Sequence, residues 1–134
     1  MSKENVELVR RFVEASARGD FDAALALMRP DIEFWMRPEV PDLPASYVGH
    51  AGMREFWATL ADSYTGSFRV ELEELLDAGD YVFLAYRQSA LVPDSESRVA
   101  DHLFCVFQVE GGKLSEGRVY SNRGAALEAV GLRE

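Results

Sequence analysis

The fold is decided by residues 68–91, which read FRVELEELLDAGDYVFLAYRQSAL. From Phe68 to Leu72 every second residue is apolar and the residues between are charged, which is typical of a β-strand with one face in water. Asp77-Ala-Gly-Asp80 then supplies a turn, and Tyr81–Leu91 has the composition of a second, longer strand. This stretch therefore predicts an antiparallel hairpin.

Further strands extend the hairpin into a meander. Val99–Val109 and Leu114–Ser121 are predicted strands, separated by turns at residues 93–97 and at Gly111-Gly112. Before the hairpin the sequence predicts two helices, one from Ser2 to Ala17 and one from Asp20 through Met28 that Pro30 ends. A strand at Asp31–Met36 follows, and then an extended loop that carries Pro38, Pro41 and Pro44. A third helix is predicted at Gly52–Tyr64 and ends at Gly66. Asn122 is predicted to cap a last short helix, closed by Gly131. Because short connections join antiparallel neighbours, we predict an α+β fold with a curved antiparallel sheet and helices on one face, in the order α-α-β-α-β-β-β-β-α.

Length and charge exclude several classes of function. The 134 residues predict a single domain spanning 1–134. The net charge of −9 repels phosphate and anionic lipid, so we expect no nucleic-acid partner and no membrane partner. No stretch has the roughly 20 apolar residues of a membrane span, and charged residues interrupt any signal-like segment near the start. With Cys105 as its one cysteine, the chain is expected in the cytoplasm.

The strand at Val99–Val109 reads VADHLFCVFQV and is apolar on both faces. An antiparallel sheet commonly keeps one face in water. We therefore expect one face of this strand to pack on the helices and the other to meet a second copy of the chain. This interpretation predicts a homodimer formed through the sheet.

Several phrases occur in an order that resembles the SnoaL-like domains of the nuclear-transport-factor-two-like superfamily, over nearly the whole chain. They are Phe12-Val-Glu-Ala, Arg18-Gly-Asp-Phe21, Pro30-Asp-Ile-Glu-Phe34, Tyr47-Val-Gly49, Met53-Arg-Glu-Phe-Trp57, Asp77-Ala-Gly-Asp80, Gly112-Lys-Leu114, Tyr120-Ser-Asn-Arg123, Ala126-Leu127 and Gly131-Leu132. The resemblance implies a cone-shaped α+β barrel with a pocket between the curved sheet and the first helices, in proteins that are commonly dimeric. Relatives include ketosteroid isomerases, polyketide cyclases and limonene epoxide hydrolase.

The catalytic groups of these relatives are only partly present. By resemblance to the isomerases, Phe12 stands where they have an oxyanion-hole tyrosine, Met36 stands where they have the general base, and Asp101 matches their oxyanion-hole acid in its Asp-His pair. Asn122 is the nearest counterpart of the acid/base aspartate of the cyclases, and an amide cannot shuttle a proton at neutral pH. The hydrolase needs two aspartates bracketing an arginine, and Arg98 and Asp101 point to opposite faces of a regular strand.

Asp101 is the predicted catalytic residue. Inside an apolar pocket its pKa would rise, and the neutral acid could donate a proton or a hydrogen bond; ketosteroid isomerases use a carboxyl in this way. The alternative is that Asp101 lies near the start of its strand, exposed or paired with Arg87 or Arg98. The predicted ligand-binding residues are Tyr86, Tyr120 and Asn122 as polar groups and Phe12, Trp35, Met36, Trp57 and Leu84 as apolar walls. The alternation leaves open whether Trp35 or the pair Phe34 and Met36 faces the pocket.

The leading hypothesis is a protein that binds a small, mostly apolar or amphipathic molecule with a carbonyl or hydroxyl group. If it is an enzyme, acid/base chemistry without a cofactor is favoured: isomerisation, cyclisation, dehydration or epoxide hydration. The alternative is a ligand-binding or dimeric interaction domain without catalysis, which the side chains of Phe12 and Met36 favour. His50 and His102 lack carboxylates at ligand spacing, so no metal site is predicted.

Overall fold

A computed structural model describes residues 2–36, 45–64, 69–91 and 97–132. Four predicted features lie partly or wholly outside these residues. They are residues 37–44 of the proline-rich loop, the helix stop at Gly66, the strand start at Phe68 and residues 93–96 of the turn at 93–97. The elements are α1 (Ser2–Ala17), α2 (Phe21–Ala26), β1 (Met28–Met36), β2 (Ala45–Val48), α3 (Gly49–Tyr64), β3 (Arg69–Ala78), β4 (Tyr81–Leu91), β5 (Arg98–Glu110), β6 (Lys113–Tyr120) and α4 (Arg123–Ala129). No helix in these described ranges is long and apolar enough to cross a membrane.

The six strands form one curved, open sheet in the order β2-β1-β6-β5-β4-β3. Strands β3 to β6 form the predicted antiparallel meander. The α+β class is therefore confirmed, but the sheet is mixed, because β1 runs parallel to β6. It is also not closed into a barrel, since β2 and β3 form its two edges.

The junction between α2 and β1 differs from the prediction. Asp20 caps α2 as expected, its side chain accepting a hydrogen bond from the Ala23 N–H. The helix then ends at Ala26, and Met28, predicted as its last apolar residue, is instead the first residue of β1. Met28 pairs with Leu114 in β6 and is fully buried. The contact with a distant strand overrides the local helical spacing.

Apolar residues on the two faces of the sheet form two separate clusters. On the inner face the larger cluster includes Val9, Met53 and Leu84 and joins α1, α2 and α3 to the sheet. On the outer face Phe83 and Val106 pack with Leu127 of α4. The prediction that all helices lie on one face is therefore wrong, and α4 accounts for part of the apolar outer face of β5.

Candidate functional site

A cavity of about 380 Å³ lies between the inner face of the sheet and helices α1, α2 and α3. Its lining is predominantly apolar, and it falls at the lower end of the size range of small-molecule sites. The residues that line it are Phe12, Val13, Ser16, Ala17, Gly19, Phe21, Phe34, Met53, Phe56, Trp57, Val70, Leu84, Tyr86, Gln88, Cys105 and Phe107.

Two simple periodicities place these side chains. Leu84, Tyr86 and Gln88 alternate along β4 and therefore share the inner face of the sheet. Phe12 and Ser16 are four residues apart on α1, so they lie on one side of that helix. One row of β4 and one side of α1 thus form two of the walls of the cavity.

Aromatic rings contact one another around the cavity. Phe21 stacks on Trp57 with ring centroids 4.5 Å apart and an angle of 11° between the ring planes. Phe12 packs edge to face on Phe107, with ring centroids 5.2 Å apart. The ring centroids of Phe34 and Phe56 lie 5.0 Å apart. Because each ring contacts a neighbour, the wall is held in shape by mutual packing.

Gly117 makes this wall possible and was not singled out from the sequence. It pairs with Phe34 on one side and with Phe107 on the other. A Cβ on Gly117 would lie 2.7 Å from ring carbons of both phenylalanines. A glycine inside a predicted strand often marks such a close approach, and this was the signal that could have found it.

Of the predicted apolar walls, Phe12, Trp57 and Leu84 line the cavity. Trp35 pairs with Arg118 and lies on the outer face, whereas Phe34 lies on the inner face. Met36 packs against the inner core but is not among the residues that line the cavity.

The predicted polar residues divide between the two sides of the sheet. Tyr86 lines the cavity. Tyr120 instead belongs to the cluster beneath α4 on the outer face. Asn122 is the N-cap of α4, with its side-chain oxygen accepting a hydrogen bond from the Ala125 N–H at 2.9 Å. The capping prediction for Asn122 is confirmed, and this structural role places its side chain away from the cavity.

Asp101 does not line the cavity either. It is exposed, so the apolar enclosure expected around it is absent. It pairs directly with Gln88, which does line the cavity, and the two residues therefore share the inner face. His102 points to the opposite face, where Nδ1 lies 2.9 Å from a carboxylate oxygen of Glu73. The catalytic role of Asp101 stays a prediction.

The polar side-chain groups of the lining are the Ser16 hydroxyl, the Trp57 indole N–H, the Tyr86 hydroxyl, the Gln88 amide and the Cys105 thiol. Burial raises the pKa of the Cys105 thiol, which keeps it protonated and poorly nucleophilic. Among the described residues that line the cavity, none carries a carboxylate or an imidazole. Over the described part of the chain, no group of three or more histidine, cysteine, aspartate or glutamate residues could hold a metal ion.

The sequence matches the family model described as SnoaL-like domain over residues 9–117. The chain belongs to the SnoaL-like domain family. Among curated proteins, none matches this SnoaL-like domain significantly.

Solved structures share the fold of this SnoaL-like domain. TerC co-crystallised with polyporic acid superimposes with a TM-score of 0.77 at 20% identity, covering 95% of this chain and 98% of that one. Bal32a, from a soil-derived mobile gene cassette, has a TM-score of 0.77 at 21% identity, with 89% of each chain covered. A putative polyketide cyclase from Xanthomonas campestris pv. campestris has a TM-score of 0.72 at 22% identity, covering 96% of this chain and 98% of that one.

Proposed function

We propose that this SnoaL-like domain binds a small, mostly apolar molecule carrying a carbonyl or hydroxyl group in the cavity between the sheet and helices α1 to α3. The observation that carries the proposal is the lining itself, in which aromatic and aliphatic walls surround a few polar side chains on one row of β4. Apolar walls favour binding of apolar surface, and a few polar groups fix orientation.

The structural neighbours support the same class of ligand. TerC was co-crystallised with polyporic acid, and another neighbour is a putative polyketide cyclase.

Two matched alanines provide a test. Ala17 and Ala58 are both exposed helical residues, but only Ala17 lines the cavity. Ala17→Phe places a ring at the cavity wall, whereas Ala58→Phe adds the same ring to a helix surface elsewhere. We expect ligand titrations followed by amide NMR to show binding of 1-tetralone by the wild type and Ala58→Phe, and binding weakened at least tenfold in Ala17→Phe. Equal affinities in all three proteins would refute the cavity as the binding site.

A second candidate function is acid/base catalysis without a cofactor at the edge of the cavity. It is favoured by one observation: Asp101 is the direct cross-strand neighbour of Gln88. The carboxylate lies beside a cavity-lining amide, where it could exchange a proton with the end of a bound ligand. Asp101→Asn should then abolish turnover of a discovered substrate, while Asp80→Asn in the exposed turn should leave it unchanged. Unchanged turnover in Asp101→Asn would limit the protein to binding or to another catalytic group.

A homodimer through the sheet remains a proposal. Its support is the outer face, where Phe104 and Tyr81 are only partly buried although Val106 and Ala85 are covered. Light scattering at micromolar concentration should give twice the mass of the chain, and a monomeric mass would refute the proposal. The cytoplasmic location likewise stays a prediction from the sequence.

A further inference from the structure

Ser16 has a buried hydroxyl without a hydrogen-bond partner. Its Oγ is inaccessible to water, and no described residue of the chain donates to it or accepts from it. Buried polar groups in folded proteins are normally paired, because an unmade hydrogen bond leaves the cost of removing the group from water uncompensated. The Ser16 hydroxyl therefore requires an explanation.

The usual local partner of such a hydroxyl is the carbonyl four residues earlier in the helix. Thr59 in α3 makes this bond, with Oγ1 donating to the Glu55 carbonyl oxygen at 2.9 Å. Ser16 in α1 does not, although the Phe12 carbonyl occupies the equivalent position. Because no hydrogen bond holds the Ser16 hydroxyl, rotation about χ1 towards a ligand would break none.

Ser16 also lies where a ligand would be. It lines the cavity together with Phe12 and Val13 in the preceding turn and Gly19 in the following one. These neighbours offer no side-chain hydrogen-bonding group. The Tyr86 hydroxyl and the Gln88 amide are carried by β4, on a different wall of the same cavity.

We infer that Ser16 is a ligand-binding residue and that the ligand carries two hydrogen-bonding oxygens, one meeting Ser16 on α1 and one meeting the polar row of β4. The inference rests on the proposed function, since it assigns the ligand class of the same cavity. It narrows that class from an apolar molecule with one polar group to an apolar framework with oxygens at two separate positions.

The test compares two bicyclic probes of similar size, 6-hydroxy-1-tetralone, which carries two separated oxygens, and tetralin, which carries none. Dissociation constants are measured by amide NMR titration for the wild type, Ser16→Ala and Gln88→Leu. Ser115→Ala serves as the matched control, because the Ser115 hydroxyl already donates to the Gln108 carbonyl at 3.2 Å and does not line the cavity. Each lost hydrogen bond should weaken binding of the oxygenated probe about threefold to tenfold.

We expect Ser16→Ala and Gln88→Leu each to weaken binding of 6-hydroxy-1-tetralone and to leave binding of tetralin within twofold of wild type. Ser115→Ala should change neither. Without ligand, Ser16→Ala should melt no lower than the wild type, because it removes an unsatisfied buried hydroxyl and alanine is the better helix former.

Three results would overturn the inference. If Ser16→Ala binds both probes as the wild type does, Ser16 is not a ligand contact, while the proposed cavity function stands. A large loss of stability in ligand-free Ser16→Ala would show instead that the hydroxyl stabilises the fold. If the wild type binds neither probe, the proposed function fails together with the inference.

Discussion

Replacing Gly117 by alanine should destabilise the protein by crowding the aromatic wall of the cavity. The added Cβ would lie 2.7 Å from Cε1 of Phe107 and 2.7 Å from Cδ1 of Phe34. Favourable carbon–carbon contacts lie at about 3.5 to 4.0 Å, so the rings must move away by about 1 Å. Both rings border the cavity, but each also packs on a neighbouring ring, Phe107 on Phe12 and Phe34 on Phe56, so moving either ring disturbs that packing.

The expected cost is that of overpacking a core, about 1–3 kcal/mol in the free energy of unfolding. For a chain of this length this corresponds to a melting temperature lowered by about 4 to 12 °C. Urea unfolding should show a lower midpoint with an unchanged dependence on denaturant, which would indicate that the compactness of the two states has not changed.

A double-mutant cycle locates the origin of the cost. Phe34→Leu removes one of the two rings that the new methyl group meets, so Gly117→Ala should cost less in that background than in the wild type. Strictly additive costs would show that the clash with Phe34 is not the cause. A Gly117→Ala protein with wild-type stability would refute the reasoning altogether.

Three further predictions concern residues around the site. Asn122→Ala should lower the free energy of unfolding by about 1 kcal/mol through loss of the cap on α4, measured by urea unfolding, and unchanged stability would contradict the capping role. Tyr120→Phe should leave the affinity for 1-tetralone unchanged in an NMR titration, because Tyr120 lies on the outer face; a tenfold loss would contradict this placement. Burial raises the pKa of the Cys105 thiol in the folded protein. The protonated thiol therefore contributes its full share of the folding free energy at any pH below the pKa of an unfolded thiol, about 8.5. Above that pH only the unfolded chain releases the proton, so the free energy of unfolding should fall by up to about 1.4 kcal/mol per pH unit, and Cys105→Ala should remove this part of the slope.

The meander and the first helix were predictable because their signals are local. Alternation along residues 69–72 and the turn near Gly79 depend on neighbouring residues alone, and β3 and β4 form where that pattern indicates. The parallel pairing of β1 with β6 joins segments about eighty residues apart, so no local sequence pattern indicates it. The same long-range contact explains why Met28 belongs to β1, although its local spacing predicts a helix. Strand β2 follows the proline-rich segment and is only four residues long, too short to give a periodic signal.

The cavity was predictable in outline but not at its ends. Because side chains alternate between the two faces of a strand, the sequence predicts that Leu84 and Tyr86 share one face, and in the structure both line the cavity. The same period places Asp101 on that face, but it cannot show how far the covering helices extend along β5. Burial falls along the strands, from Leu84 and Cys105, which are almost fully buried, through Gln88 to the exposed Asp101. The sequence pattern thus predicts on which face of the sheet a side chain lies better than it predicts how deeply that side chain is buried.

This gradient of burial has a consequence for any ligand of the cavity. Each 100 Å² of apolar surface removed from water contributes about 2.5 kcal/mol, whereas one hydrogen bond contributes about 0.5–1.5 kcal/mol. Affinity should therefore come mainly from the aromatic wall near Leu84 and Cys105, and orientation from the polar groups. A carbonyl placed against that wall would lose its hydration without compensation unless a polar group of the lining, such as the Ser16 hydroxyl, met it. The polar end of a ligand with a single oxygen should consequently face Gln88 and the exposed Asp101, and only a ligand with a second oxygen should bring the Ser16 hydroxyl into use.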